Sequence, residues 1–348
     1  MSGVQILTVG DDEGEQRLDR WLRRRFPDLN QIKIEKMCRK GEVRVDGGRV
    51  KPAKRLEVGN SVRIPPLEAG EPVASGRNPN MITADDLKLI QSCVIYKDEH
   101  LIVLNKPAGL ATQGGSGQTR HVDGLAEALK FEREDKPKLV HRLDKDTSGI
   151  LLLARTGRAA ALLAKSFNLQ QTRKIYWAVV AGVPAPKKGT VKFGVVKAGG
   201  HGPQGEGEKM IAVHPDMIEA TAGAKKAVTD YAVIEAAAKR TAWVALAPLT
   251  GRTHQLRVHM AEIGNPIIGD GKYGGSGQTN EGDGWGAQLG GDVSRKMHLH
   301  ARSISLQHPI TRKQMRFVAP LPTHMQKTWD LFGWNIGDAA DDPFADEE

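Results

Sequence analysis

The chain holds two cysteines, Cys38 and Cys93, in 348 residues, and no Cys-x-x-Cys pair. Neither a disulfide framework nor a cysteine-based zinc site is expected from so few thiols so far apart. Long apolar runs are missing too. Runs such as Ile150–Ala154 are short, far below the roughly 18 residues that a membrane-spanning helix needs. The first sixteen residues carry four acids and no base, so they lack the basic start of a secretory or transit peptide. Neither Gly-Gly-Ser-Gly-Gln-Thr hexapeptide, at 114–119 and 274–279, continues into Gly-Lys-Ser/Thr, so neither is a Walker loop. These absences leave the expectation of a cytoplasmic chain with no membrane partner.

What is present is a basic, globular composition. Hydrophobic residues make up 39% and charged residues 26%, with a net charge of +9. The length exceeds what one compact core usually holds, so two or more folding units are expected. The charge is unevenly placed. Residues 17–63 hold fifteen Lys/Arg against six Asp/Glu, and residues 81–337 hold 34 against 23. The last eleven residues carry six acids and no base. Two basic bodies between acidic ends point to a polyanionic partner gripped in two places.

The first basic body reads as two short helices beside a small sheet. Leu18, Trp21 and Leu22 share one helical face, and Pro27 ends that helix. Asn30 can N-cap a second helix through Ile32, Ile34 and Met37 to Gly41. Lys33, Lys36 and Lys40 then fall along one stripe. Val43-Arg44-Val45 and Arg49-Val50 flank Asp46-Gly47, a type I′ hairpin signal, and Ser61–Ile64 adds a further strand. Arg17-Leu18-Asp19-x-x-Leu22, followed by Lys40-Gly41-x-Val43-x-Val45-Asp46-Gly47, resembles the S4-type RNA-binding module, which has a small αL fold. The resemblance implies that Lys33, Lys36, Lys40 and Arg44 contact RNA. Turn formers across 65–85 read as a linker, and 198–208 and 281–292 as glycine-rich loops.

One segment stands out for chemistry. His141-Arg142-Leu143-Asp144-Lys145-Asp146-Thr147-Ser148-Gly149 is a charged, turn-prone run that leads straight into an apolar strand. Its Asp-x-Asp-x-Ser-Gly pattern opens like an EF-hand loop, but position twelve would be Arg155 where a carboxylate is required. An aspartyl-phosphate site would need a phosphate-binding loop and magnesium carboxylates, and neither set is found. Asp144 as a nucleophile or base toward carbon, with Arg142 nearby, stands beside the plainer reading of a turn cap. Arg173–Gly182 alternates as a strand with Tyr176, Ala178 and Val180 on one face, and the preceding 158–171 reads as a helix. In 249–260, Thr253 can N-cap a helix ending at Gly264, with Leu256, Met260 and Ile263 apolar. His298-x-His300 and the His254/His259 pair lack a third ligand at zinc spacing, so no metal is expected.

Together these segments resemble the RluA family of large-subunit ribosomal RNA pseudouridine synthases, in the branch that carries an S4 module. The carriers are His141–Gly149, Lys174-x-Tyr176-x-Ala178-x-Val180-x-Gly182, and Thr250-Gly251-Arg252-Thr253-His254-Gln255-Leu256-Arg257-x-His259. Gly264–Tyr273 and Met297–Ala301 continue the pattern. The resemblance implies Asp144 as the catalytic aspartate, attacking the sugar C1′ or taking a proton from C2′. Tyr176 would stack on the target base and be placed to act as a base. Arg257 would pair with Asp144 and keep it ionised, Arg142 would fill the gap left by a flipped uridine, and Arg252 would meet RNA phosphate. No cofactor is implied, because pseudouridylation is an isomerisation. The expected chain is a monomeric α+β protein acting on 23S ribosomal RNA. Its expected parts are an acidic extension (1–12), an S4-like domain (13–66), a linker (67–90), a catalytic domain with a mixed, mostly antiparallel sheet flanked by helices (91–330), and an acidic tail (331–348). A transfer RNA-directed synthase and a non-catalytic RNA-binding assembly factor are the alternatives.

Overall fold

The structure is a computed structural model that describes residues 3–10, 13, 16–26, 29–67, 82–114, 120–198, 209–274 and 292–345. It divides into two compact units, Met1–Asn78 and Pro79–Glu348. The Pro27 helix stop, both hexapeptides beyond their first glycine, and most of the linker and glycine-rich loops lie outside the described residues.

The first unit builds on α1 (Leu18–Arg25) and α2 (Gln31–Lys40). Leu18, Trp21 and Leu22 are fully buried, and each such apolar side chain contributes roughly 1.5–3 kcal/mol. The Asn30 side chain accepts from the Lys33 amide at 2.8 Å, and Gly41 closes α2 at φ 71°. Ile34, Met37 and Cys38 face the core, whereas Ile32 is exposed and the three lysines point to solvent. Its four-stranded sheet runs β1 (Gln5–Thr8), β4 (Ser61–Ile64), β2 (Arg44–Val45), β3 (Gly48–Arg49). Asp46 and Gly47 both take positive φ, 50° and 77°, as a type I′ turn requires. β1 corrects the expected acidic extension 1–12. The acids cluster at 11–15, and averaging the charge over sixteen residues hid the alternating Val4–Val9 segment that pairs with β4 and buries Val9.

The second unit adds α3 (Ala84–Ser92), β5 (Val94–Lys97), β6 (Leu101–Lys106), α4 (Val122–Leu125), β7 (Lys138–Leu139), β8 (Ser148–Ala154), α5 (Gly157–Asn168), β9 (Arg173–Ala181), β10 (Lys188–Lys197), β11 (Met210–Val213), β12 (Lys225–Ala237), β13 (Thr241–Pro248), α6 (Gln255–Glu262), β14 (Leu299–Gln307), β15 (Gln314–Val318) and α7 (Thr323–Phe332). The expected linker 67–90 therefore ends early. A Thr83–Asp86 capping box starts α3, and Ile90 enters the core.

Among the described residues eleven strands form one sheet, with the path β11-β10-β12-β13-β9-β14-β8-β6-β5; β15 joins β14 and β7 joins β8. Among the described residues the β14–β8 pairing alone of the strand pairs is parallel, so the fold is α+β with a mixed, mostly antiparallel sheet. Side chains of β9 alternate between two cores. Tyr176, Ala178 and Val180 meet Leu256 and Met260 of α6, while Ile175, Trp177 and Val179 meet Met325 and Trp329 of α7. Trp177, Trp243, Trp329 and Trp334 pack ring to ring, with Trp243 4.6 Å from Trp177 and 5.1 Å from Trp329. The expected acidic tail 331–348 is also corrected. Trp334, Ile336 and Phe344 pack on this cluster, Arg173 holds Asp342 at 2.8 and 2.9 Å, and Arg316 pairs with Asp341.

Candidate active site

Asp144 sits in the loop just before β8, and that loop is pinned on both sides of it. The Leu143 amide donates to Thr112 Oγ1 at 3.1 Å, and Thr112 donates back to the Leu143 carbonyl at 2.6 Å. On the other side, Lys106 Nζ donates to the carbonyls of Lys145, Leu110 and Pro107 at 2.8–3.0 Å. Burial lowers the Lys106 ammonium to about 7, although the Asp146 and Asp144 charges oppose the shift. Gly149, five residues on, has φ +106°, and a β-carbon there would run into the Ala301 backbone. The glycine thus permits the close parallel approach of β8 and β14.

The sheet register explains why Tyr176 belongs to the same place. Gly149 pairs with Ala301, Ala301 with Tyr176, and Tyr176 with Leu246. These four lie in one row across β8, β14, β9 and β13. Leu246 is near the end of β13, and the chain then turns into α6. The resulting cleft, about 500 Å³, is lined by Arg142, Asp144, Lys174, Tyr176, Arg252, His254 and Arg257, among others. Tyr176 shares apolar packing with both neighbouring cores. Burial, and then the nearby Asp144 charge, raise its phenol above the ordinary range, so it is a phenol at neutral pH.

The turn into α6 differs from expectation. Thr253 does not cap it; His254 does, in the left-handed region at φ 53° and without a side-chain cap. The start of the helix is held by Gln255 instead. Its Oε1 accepts from the Arg252 amide (3.0 Å) and Thr250 hydroxyl (2.7 Å), and its Nε2 donates to the Val228 carbonyl and Thr229 Oγ1, both at 2.9 Å. A glutamine buried at the first helical turn does the work assigned to a threonine.

Arg257 reaches Asp144 as expected, with Nη1 donating to Oδ2 at 3.4 Å. Its tighter partner is Asp270. Arg257 Nε and Nη2 donate to the two Asp270 carboxylate oxygens, each at 2.7 Å, and the Asp270 side chain is fully buried. Burial alone would lower the Arg257 guanidinium, but the Asp270 hydrogen bonds and charge, with that of Asp144, outweigh it and raise it. Asp270 thus fixes the guanidinium with Nη1 directed at Asp144.

The structure therefore gathers Asp144, Tyr176, Arg257, Arg142 and Arg252 around one cleft. Arg142 and Arg252 are exposed at its edge, and Arg252 Nε donates to the Lys226 carbonyl at 3.1 Å. Lys33, Lys36, Lys40 and Arg44 belong to the first unit, where Arg44 bonds the carbonyls of Gly41 and Gly47 around its own hairpin. Lys106, Thr112, His254, Asp270 and Tyr273 went unassigned in the sequence. A lysine closing an apolar strand in Leu101–Lys106 was a visible signal for the first. Asp270 lies in Gly264–Tyr273, which continues the family pattern, but its pairing with Arg257, thirteen residues away, had no local signal. His141 is set by packing: it stacks on Phe167 at 4.5 Å and accepts from the Leu152 amide at 2.9 Å, and burial, with the Lys174 charge, lowers it to about 3.

Comparison with known proteins decides the family. Residues 100–262 match the RNA pseudouridylate synthase family, and residues 16–62 match the S4 domain. The ribosomal large subunit pseudouridine synthase C of Vibrio cholerae is 34% identical over 93% of this chain and 95% of its own. The chain belongs to the RluA family of RNA pseudouridine synthases. The synthase is also 33% identical to the Arabidopsis thaliana RNA pseudouridine synthase 4, mitochondrial, over 94% of this chain and 83% of that one. Among solved structures, human RNA pseudouridylate synthase domain containing 4 covers 71% of this chain and 95% of its own, with a TM-score of 0.57 and 29% identity. The match to residues 100–262 encloses Asp144, Tyr176 and Arg257 but stops short of Asp270.

Proposed function

We propose that this pseudouridine synthase isomerises uridines of 23S ribosomal RNA, with Asp144 as the group that acts on the flipped nucleotide. The observation that carries the reading is the pinned carboxylate of Asp144 in the cleft, 3.4 Å from a guanidinium fixed by a second, buried carboxylate. The relatives named for the large ribosomal subunit and the S4 domain support the RNA target.

The reaction breaks the C1′–N1 bond, turns the uracil, forms the C1′–C5 bond, releases the C5 proton and leaves N1 to take up a proton. It is an isomerisation and consumes no second substrate. The Asp144 carboxylate serves either attack on C1′ or removal of the C2′ proton, and Arg257 holds its Oδ2. Tyr176, held as a phenol, meets the base with its ring and its O–H; to take the C5 proton it would first have to lose its own. Unstacking the uridine costs a few kcal/mol, which Arg142 in the vacated stack and the basic edge at Arg252 and Lys174 offset. Lys33, Lys36, Lys40 and Arg44 grip the RNA backbone from the S4 unit.

The test is tritium release from 5-tritiated uridine in ribosomal RNA. Wild type should release tritium and Asp144→Asn should stay at background. Background release from both proteins would refute the reading.

A further inference from the structure

Two groups besides Asp270 surround the Asp144–Arg257 pair, and they are bonded to each other. The Met210 amide of β11 donates to Tyr273 Oη at 2.9 Å, and Tyr273 Oη lies 2.8 Å from His254 Nδ1. Among the described residues Nδ1 is the one acceptor within reach of the Tyr273 hydroxyl proton. Oη accepts from Met210 and keeps its proton and a second lone pair for the Nδ1 contact; we take the proton to point at Nδ1. A neutral His254 ring then carries its own proton on Nε2. Nε2 faces Asp144, 3.8 Å from Oδ2.

Arg257 meets that same oxygen. Both groups therefore face Oδ2, and no hydrogen bond among the described residues reaches Oδ1. The Arg257 contact is a long hydrogen bond, and the His254 contact at 3.8 Å is an approach that has to shorten to become one, as is common before substrate closes a site. His254 is also held in the left-handed backbone region, which a β-carbon disfavours, so its ring is placed by its surroundings.

We propose that His254, locked in the Nε2–H tautomer by Tyr273, is a positioning residue that clamps Oδ2 of Asp144 together with Arg257 and leaves Oδ1 to meet the substrate. The proposal rests on Asp144 being the reacting group. It also gives β11 a part in the site through the Met210 amide.

The test uses the full chain labelled with nitrogen-15 in histidine, with the His254 signals assigned by their loss in His254→Gln. Long-range proton–nitrogen correlation should show a protonated Nε2 and a bare Nδ1. Tyr273→Phe should shift these signals toward a mixture of tautomers. It should also lower kcat about 10- to 100-fold, the effect of loosening one hydrogen bond to a charged group, with KM nearly unchanged. A protonated Nδ1 in the wild type, or a Tyr273→Phe enzyme with wild-type kcat, would overturn the proposal. The tautomer measurement needs no turnover. If the wild type releases no tritium, the functional reading fails while the resonances still report on the lock. If it turns over with Nδ1 protonated, the lock alone fails.

Discussion

Removing the Asp270 carboxylate should do more damage than its distance from the substrate suggests. Asp270→Ala leaves the Arg257 guanidinium, with a side chain only 8% exposed, without the two 2.7 Å hydrogen bonds that fix it. Breaking a buried ion pair from one side costs about 3–5 kcal/mol, because the surviving charge stays in a poor solvent. Asp144 at 3.4 Å recovers part of this by drawing the freed guanidinium toward itself, so the expected loss is at the lower end, about 3 kcal/mol. For a unit of this size that corresponds to a fall in Tm of roughly 6–12 °C. Activity should fall further than stability explains, since Arg257 then sits on Asp144 instead of beside it. Urea unfolding gives the first quantity and tritium release the second. Adding Arg257→Met to Asp270→Ala removes the stranded charge. Stability should return toward wild type while activity stays low. An Asp270→Ala protein within about 1 kcal/mol of wild type, with normal kcat, would refute the view that Asp270 fixes Arg257.

Acid should destabilise the two units over different pH ranges. Burial first of all lowers His141, His298 and His300 to about 3 and His259 to about 4. Their contribution is complete above the unfolded value of about 6.5 and is lost as pH falls toward their folded values, at about 1.4 kcal/mol per pH unit for each histidine. Residues 1–78 contain no histidine. There Glu13, lowered to about 2 chiefly by its hydrogen bond from Arg25, loses its stabilising effect only below about 4.5. Urea titrations at about pH 7.5 and about pH 5 should thus shift the transition of the second unit alone, and equal shifts in both would contradict the assignment. Deleting residues 1–78 should weaken RNA binding and reduce the slope of log K against log salt by about 3, if Lys33, Lys36, Lys40 and Arg44 each neutralise one phosphate. A filter-binding salt series with an unchanged slope would remove those residues from the RNA contact.

Much of the local structure could be read from neighbouring residues. Asn30, Gly41 and the Asp46-Gly47 turn each act through backbone groups a few positions away, so their effects are written in consecutive letters. The same holds for the alternation of β9 and the stripe of Lys33, Lys36 and Lys40. Errors arose where a longer average masked a short pattern. Counting charge over the first sixteen residues hid β1, and counting acids at the end hid Trp334 and Phe344. Thr253 was a reasonable cap by residue type. It lost to Gln255, whose partners on β12 lie more than twenty residues away.

By itself the sequence determined the two-part organisation, the α+β class and the three segments that carry Asp144, Tyr176 and Arg257. Each is a run of adjacent residues, and adjacency suffices to specify a helix cap, a hairpin or a motif. Only the tertiary structure decided how those segments act together. The row Gly149–Ala301–Tyr176–Leu246 joins four strands drawn from positions 149 to 301 of the chain, and the Asp270–Arg257–Asp144 and Met210–Tyr273–His254 chains cross between elements. Hydrogen bonds and Coulomb forces act over a few ångströms of space regardless of sequence separation. A charge's partner therefore has to be found in the fold.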